Sequence, residues 1–342
     1  MFYLFILSAL ISSLFSIDPS YSFSQLVKDP LKSFLFWPVF LWIIDNEVKL
    51  KKITFFLFLI LIIYVVSGYY CFVFKNIYYP DTWLLHSTLN RYGGLLALLI
   101  SYGIIYLFYR KEKFVKITLL LLVVATIYGI ILNATRIAYL SLFISLLIWI
   151  IFYFRKHLIK GIVFLFLCLG ILGTVGWYSS DFVKAKIIKT KNDFSTFNQR
   201  KVGWDAAIEA SLNRPITGWG FGKKIFHNDM PFVNTSFNFS PKKLDLGLET
   251  PHNTFLAVLF HQGFLGFIFF IGMFFLTIKN LTFKLNFNED FLNLFRLSVL
   301  ISYISYFGVF AFFNPTKFFH FTIFTCIGLV TFNLIKEANK NK

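Results

Sequence analysis

The chain has 342 residues, 57% of them hydrophobic and only 14% charged, with 48 phenylalanines and a formal charge of +17. So little charge excludes an ordinary water-soluble domain, and uninterrupted apolar runs such as LLLLVVATIYGIIL exclude the alternation of an outer-membrane barrel. The basic residues gather in short clusters between apolar runs, as in the cytoplasmic loops of polytopic membrane proteins, so the charge excess gives no reason to invoke nucleic acid.

The expected fold is all-α: a polytopic transmembrane helical bundle of about ten spans with one large helical periplasmic loop. In chain order the spans fall near residues 2–17, 31–45, 53–74, 93–109, 117–134, 137–154, 161–178, 254–278, 295–313 and 319–335. The first, MFYLFILSALISSLF, lacks a basic leader and a small-residue cleavage site, so it is expected to be a retained span rather than a signal peptide. Lys49, Lys51 and Lys52, then Arg110 to Lys116, then Arg155 to Lys160, then Lys336 to Lys342 fall on one side, which the positive-inside rule makes cytoplasmic. The chain therefore divides into residues 1–178 with seven spans, a periplasmic loop at 179–253, and residues 254–342 with three spans and a short cytoplasmic tail. Cys71, Cys168 and Cys326 lie in or beside apolar runs with no CxxC spacing and are expected to be small core residues.

The loop carries 11 Lys or Arg against 7 Asp or Glu. Within it RKVGWDAAIEASLNRP, Arg200 to Pro215, predicts a helix with Val202, Ala206, Ile208 and Leu212 on a shared apolar face, ended by Pro215. The following TGWGFG, Thr217 to Gly222, predicts a tight turn, and the whole segment is expected to form an ordered helical cap over the outer membrane face.

Charges at the rim of a span need a reason. Arg136, in NATRIAYLSL, stands at a short turn between two spans, where it either snorkels to lipid head groups or binds an anion. Arg91, in LNRYGG, is placed similarly, and Arg200 opens the loop helix as a solvated charge or an anion ligand. TPHNTF, Thr250 to Phe255, returns the chain toward an apolar run; Asn253 or Thr250 suits a helix cap, which would not require a histidine beside it. The His252 imidazole, with an ordinary pKa of about 6.5, can accept a proton near neutrality, with Glu249 near enough in sequence to orient it. His157 lies in a cytoplasmic basic cluster, His261 falls about two turns into a span, and His86, His227 and His320 carry no motif. There is no Asp-x-Asp, phosphate loop, GxSxG or HExxH, so neither a metal nor a nucleotide cofactor is expected.

The ordered set TRIAYLSL, QRKVGWDAAIEASLNRPITGWGFG and HNTFLAVLFHQGFLG, from about Thr135 to Gly266, resembles the O-antigen ligase and polymerase superfamily. The resemblance implies a glycosyltransferase that moves a glycan from undecaprenyl diphosphate to an acceptor at the periplasmic face of the bacterial inner membrane, without metal or cofactor. It implies that Arg136 and Arg200 bind the diphosphate and that His252 is catalytic, with Arg91, Glu249, Asn253, Trp204 and Gly220 in support. The family's large loop follows the ninth of twelve spans, whereas here it follows the seventh, so the amino end reads two helices shorter. The ligase-like order of the arginines and histidine favours lipid A core as acceptor and membrane lipids as surroundings. The alternatives are an O-antigen polymerase or protein O-oligosaccharyltransferase, and, in another class, a lipid-linked sugar flippase or transporter.

Overall fold

A computed structural model describes residues 1–81, 88–192, 195–227, 250–285, 290–314 and 318–340. Runs of Leu, Ile, Phe and Val without interior charge can satisfy their backbone only within themselves, and the described residues are accordingly all-helical. In chain order the helices are α1 (Phe2–Leu14), α2 (Pro19–Leu26), α3 (Lys32–Ile43), α4 (Glu47–Lys75), α5 (Leu89–Tyr109), α6 (Lys113–Asn133), α7 (Arg136–Tyr153), α8 (Leu158–Ser179), α9 (Asp181–Asn192), α10 (Ser195–Asn213), α11 (Lys223–His227), α12 (Thr254–Thr282), α13 (Phe291–Ser302), α14 (Ala311–Phe313) and α15 (Phe318–Lys340). Two π-helical segments, Val27–Leu31 and Tyr303–Phe310, join α2 to α3 and α13 to α14.

Among the described residues, seven helical stretches are long and apolar enough to cross a membrane: α4, α5, α6, α7, α8, α12 and the continuous Phe291–Phe313. The shortfall from about ten spans lies at the expected first, second and last. There α1 has only 13 residues and α3 only 12, too short at 1.5 Å per residue for a hydrocarbon core of about 30 Å, while α15 is 23 residues long.

The helices form two compact units interleaved along the chain: one from Met1–Ile43, Asp193–Asn280 and Ala311–Val330, the other from Ile44–Asn192, Leu281–Phe310 and Thr331–Lys342.

In the second unit α5 is the buried element, packed by α4, α6, α7 and α13. Serines let α13 approach it closely: the Ser298 and Ser302 hydroxyls donate to the carbonyls of Ser101 and Leu98 at 3.0 and 2.7 Å. Gly93 serves the same end for α7, since a Cβ there would lie 2.4 Å from Asn133 Oδ1 and 2.9 Å from Ala138 Cβ. Asn133 Nδ2 donates to the carbonyls of Tyr78 and Leu89, tying the end of α6 to the start of α5. Arg296, only 1% exposed on α13, is the largest fully buried side chain. Its guanidinium donates to the carbonyls of Leu281 (2.9 Å) and Phe283, pairing carbonyls at the end of α12 that have no helical partner.

The first unit is organised around a break in α12. Gly263 has φ 65° and ψ −169°, which interrupts the helix after nine residues, Thr254 to Gln262. The freed backbone groups are paired by the TGWGFG segment: Trp219 and Gly220 N–H donate to the carbonyls of Phe260 and His261, both at 3.0 Å, and Phe264 N–H donates to Pro215 at 2.6 Å. Gly218, Gly220 and Gly222 all have positive φ, and side chains at the first two would strike the α12 backbone and Ser16. The expected tight turn is thus a backbone clamp on a broken helix.

The helix expected at 200–215 forms as part of α10, but its apolar face differs from the expectation. Gly203, Ala206, Ala207 and Ala210 are buried against Trp219, Ile225, Phe226 and Phe260, while Ile208 and Leu212 are exposed. The clamp and α12 supply the large side chains, so α10 contributes small residues that permit close approach.

Gly263→Ala must force a Cβ to within 2.5 Å of the Pro215 carbonyl at positive φ, so it is expected to lower stability by roughly 1–3 kcal/mol. Arg296→Leu leaves the carbonyls at the end of α12 without their donor and is expected to cost about 2 kcal/mol or more. Thermal unfolding in detergent measures both; a wild-type midpoint for either variant contradicts the role assigned to that residue.

Candidate active site

In the second unit, α6 and α7 are joined by two residues only, Ala134 and Thr135, with Ala134 at φ 52°. Arg136 is therefore the first residue of α7, and its side chain is exposed. Arg91 lies in the first turn of α5 and is also exposed, near enough to Tyr64 and Tyr306 to interact electrostatically. The contact of Gly93 with Asn133 and Ala138 brings the starts of α5 and α7 together, so two arginines from distant parts of the sequence share one end of this unit. Neither first turn contains an acidic residue.

In the first unit, His252 precedes the short half-helix Thr254 to Gln262. It is half-buried and adopts φ 51°, a left-handed backbone uncommon for any residue but glycine. Such a conformation costs on the order of 1 kcal/mol and persists only where its surroundings impose it. The flanking bonds do so. His252 N–H donates to Thr250 Oγ1 at 3.4 Å ahead of the helix, and the buried Asn253 accepts from Leu256 N–H at 3.0 Å, so that of the two candidates Asn253 is the helix cap. Thr254 Oγ1 donates to the Asn314 carbonyl at 2.9 Å.

That last bond connects His252 with α10. Trp204, one helical turn beyond Arg200, packs on Phe312 and Phe313 with centroids 5.7 and 5.8 Å apart, and Phe312 in turn meets Phe255 at 6.3 Å. The elbow Phe312–Asn314 therefore gathers the helix carrying Arg200 and Trp204 and the segment carrying His252 and Asn253. Gly220 lies at the opposite end of the half-helix, where it supports the site only by holding His261. Glu249 falls outside the described residues.

Several contributors escaped the sequence reading. His261, set aside there as lying about two turns into a span, places Nδ1 2.6 Å from the Gly220 carbonyl while its own carbonyl accepts from Gly220 N–H and from Ser12. A carbonyl can only accept, so Nδ1 carries the proton. Ser16 donates to the Trp219 carbonyl at 2.9 Å and Ser22 accepts from Phe221 N–H at 2.7 Å. The signal was present in and just after α1, where Ser8, Ser12 and Ser16 recur at helical spacing in an otherwise apolar run. Arg214 lies over the Trp219 ring, 4.5 Å from its centroid, and donates to the Phe15 carbonyl at 2.8 Å. Asp18 caps α2 through Tyr21 N–H and pairs with Lys224 at 3.0 Å. The backbone hydrogen bond first, and then Lys224, hold its carboxyl below the usual carboxylate range. The stabilisation from this link is present above the ordinary carboxylate pKa of about 3.9 and is lost as pH falls through the depressed value.

A comparison with curated proteins returned no match. The family model described as O-antigen ligase matches residues 121–271, a segment that contains Arg136, Arg200, the glycine clamp, His252 and the break at Gly263. This match supports membership of the chain, a multi-pass membrane protein, in the O-antigen ligase superfamily.

Proposed function

We propose that the chain is an O-antigen ligase-type membrane glycosyltransferase, moving a glycan from undecaprenyl diphosphate to lipid A core at the periplasmic face of the inner membrane. The observation that carries the reading is the gathering of His252 and the Arg200 helix at the Phe312–Asn314 elbow, inside the segment that matches the family. Family membership supports lipid-linked glycan substrates and membrane lipids as partners. In this reading Arg136 and Arg200 bind phosphate oxygens through their guanidinium forks, and the hold strengthens as charge builds on the departing diphosphate. His252 takes the proton of an acceptor hydroxyl while that oxygen attacks the anomeric carbon. The bond to the diphosphate breaks, and the configuration at that carbon inverts. A diphosphate leaves without strong protonation, so one base suffices and no step calls on a metal.

A polymerase would use the same residues to extend the glycan on a second carrier, and a protein O-oligosaccharyltransferase would use them to attach it to protein. Deletion separates the first two: loss of a ligase leaves lipid A core without attached glycan, whereas loss of a polymerase leaves core bearing a single repeat unit. A transporter would move the lipid-linked sugar without making a bond, so transfer by purified protein in detergent decides for an enzyme.

His252→Ala is expected to lower transfer by about 10²- to 10⁴-fold while the protein still inserts and accumulates. A normal lipopolysaccharide ladder from this variant removes His252 from the mechanism. Arg136→Lys keeps the charge but loses the bidentate fork, and a severe loss of transfer is expected. Wild-type activity would instead mark Arg136 as a head-group anchor. Arg200→Ala is expected to weaken donor binding, and undiminished binding rules out its phosphate role.

A further inference from the structure

The exposed face of α10 changes character along its length. Lys201 and Asp205 are exposed in its first half, whereas Ile208 (44%), Leu212 (63%) and, just past its end, Ile216 (69%) are exposed after them. From Lys201 to Leu212 is about 16 Å along a helix axis, and these exposed positions lie on one side because they recur at three and four residues. The opposite side is the small-residue face buried on Trp219 and Phe260. Large aliphatic side chains this open are not expected in water when the other side of the same helix is well packed.

The break in α12 indicates what covers them. The whole of α12 has 29 residues, about 43 Å, which is longer than a bilayer core requires. Beyond Gly263 the remaining nineteen residues, Phe264 to Thr282, cover about 28 Å, close to the hydrocarbon thickness of about 30 Å. The membrane boundary therefore falls near Gly263, and the segment at the end of α1 agrees with it, since Ser12 bonds to the break through the His261 carbonyl and Ser16 to the clamp through the Trp219 carbonyl. Pro215 accepts from Phe264 N–H, so the carboxyl end of α10, with Leu212 and Ile216, is fixed at the same boundary.

We propose that α10 is a tilted interfacial helix whose partner is the lipid layer: Ile208, Leu212 and Ile216 enter the hydrocarbon edge, and Lys201 and Asp205 remain in water. The tilt sets Arg200 and Trp204 at head-group depth, the level at which a lipid-borne diphosphate presents its charge. α10 is thus not a cap standing clear of the bilayer but part of its surface. The inference requires only that α12 be a membrane helix; it stands or falls independently of the roles given to His252 and the arginines.

The test uses the full chain in nanodiscs with Cys71, Cys168 and Cys326 replaced by serine and one spin label at a time at Lys201→Cys, Ile208→Cys, Leu212→Cys or Ile216→Cys. Collision with oxygen relative to a water-soluble nickel chelate is expected to rise several-fold from position 201 to positions 212 and 216. Equal access of the chelate to all four sites places the helix in water and overturns the proposal. Shielding of 212 and 216 from both reagents also overturns it, because protein then covers the face. Should the cysteine-free chain fail to accumulate, the unaltered chain is photolysed with a phospholipid bearing a diazirine in its acyl chain. Adducts on the peptide spanning Ile208 to Ile216, comparable with those on exposed α8, support the proposal; adducts on α8 alone overturn it.

Discussion

A helix that breaks at a membrane boundary releases N–H and C=O groups where water is scarce, and each group left unpaired costs several kcal/mol. The break at Gly263 meets this demand with backbone from elsewhere in the chain, through the three bonds from Phe260, His261 and Phe264 to Pro215, Trp219 and Gly220. Much of the first unit follows from making that pairing possible. The glycines at 218 and 220 keep Cβ atoms out of the α12 backbone and Ser16, and the serines of α1 and α2 satisfy the clamp's remaining polar groups. Alanines on α10 let Trp219 lie flat enough for its indole N–H to reach the Ala210 carbonyl at 2.7 Å. Pairing a broken helix with a glycine-rich segment thus couples α1, α2, α10 and α12 in one arrangement.

The coupling has a consequence for His252. A nine-residue half-helix has little stability of its own, and here it is held at both ends: by the clamp at Phe260 to Gly263, and by Asn253, Thr254 and the Asn314 carbonyl at the other. Rigid support of this kind lets a left-handed residue keep its strained backbone, because relaxing φ at His252 would release the Thr250 bond or the Asn253 cap. His261 belongs to the same logic from the opposite end. Its reciprocal bonds with Gly220 fix the register between clamp and helix, so a histidine deep in an apolar run serves geometry, while the histidine at the start of the run remains half-exposed.

The helical class, the long apolar spans, the turn at Arg136, the loop helix and the Asn253 cap beside His252 were legible in the sequence, because periodicity and capping are local properties. The break in α12 was not, although Gly263 stood in plain view: HQGFLG reads as a continuous apolar helix unless one knows that Pro215 to Gly220 arrive to take its backbone. The apolar face of α10 was misread for a related reason. Val, Ile and Leu mark a buried face when the partner is unknown, whereas here the partner is bulky and the buried face is built from glycine and alanine. The Phe312–Asn314 elbow, which joins residues some fifty to a hundred positions apart, carries no local signal at all.

Charge placement at the start of α5 and α7 bears on why arginine stands there. The amino end of a helix carries a partial positive charge that favours acidic side chains by about 0.3–1 kcal/mol, yet both first turns hold an arginine and no acid. Snorkelling accounts for a cation near head groups, but it does not explain two cations added to two positive helix ends that Gly93 and Ala138 bring side by side. Their mutual repulsion and the two dipoles act in the same direction, and an anion relieves both at once. The field at this end of the second unit therefore favours an anionic occupant.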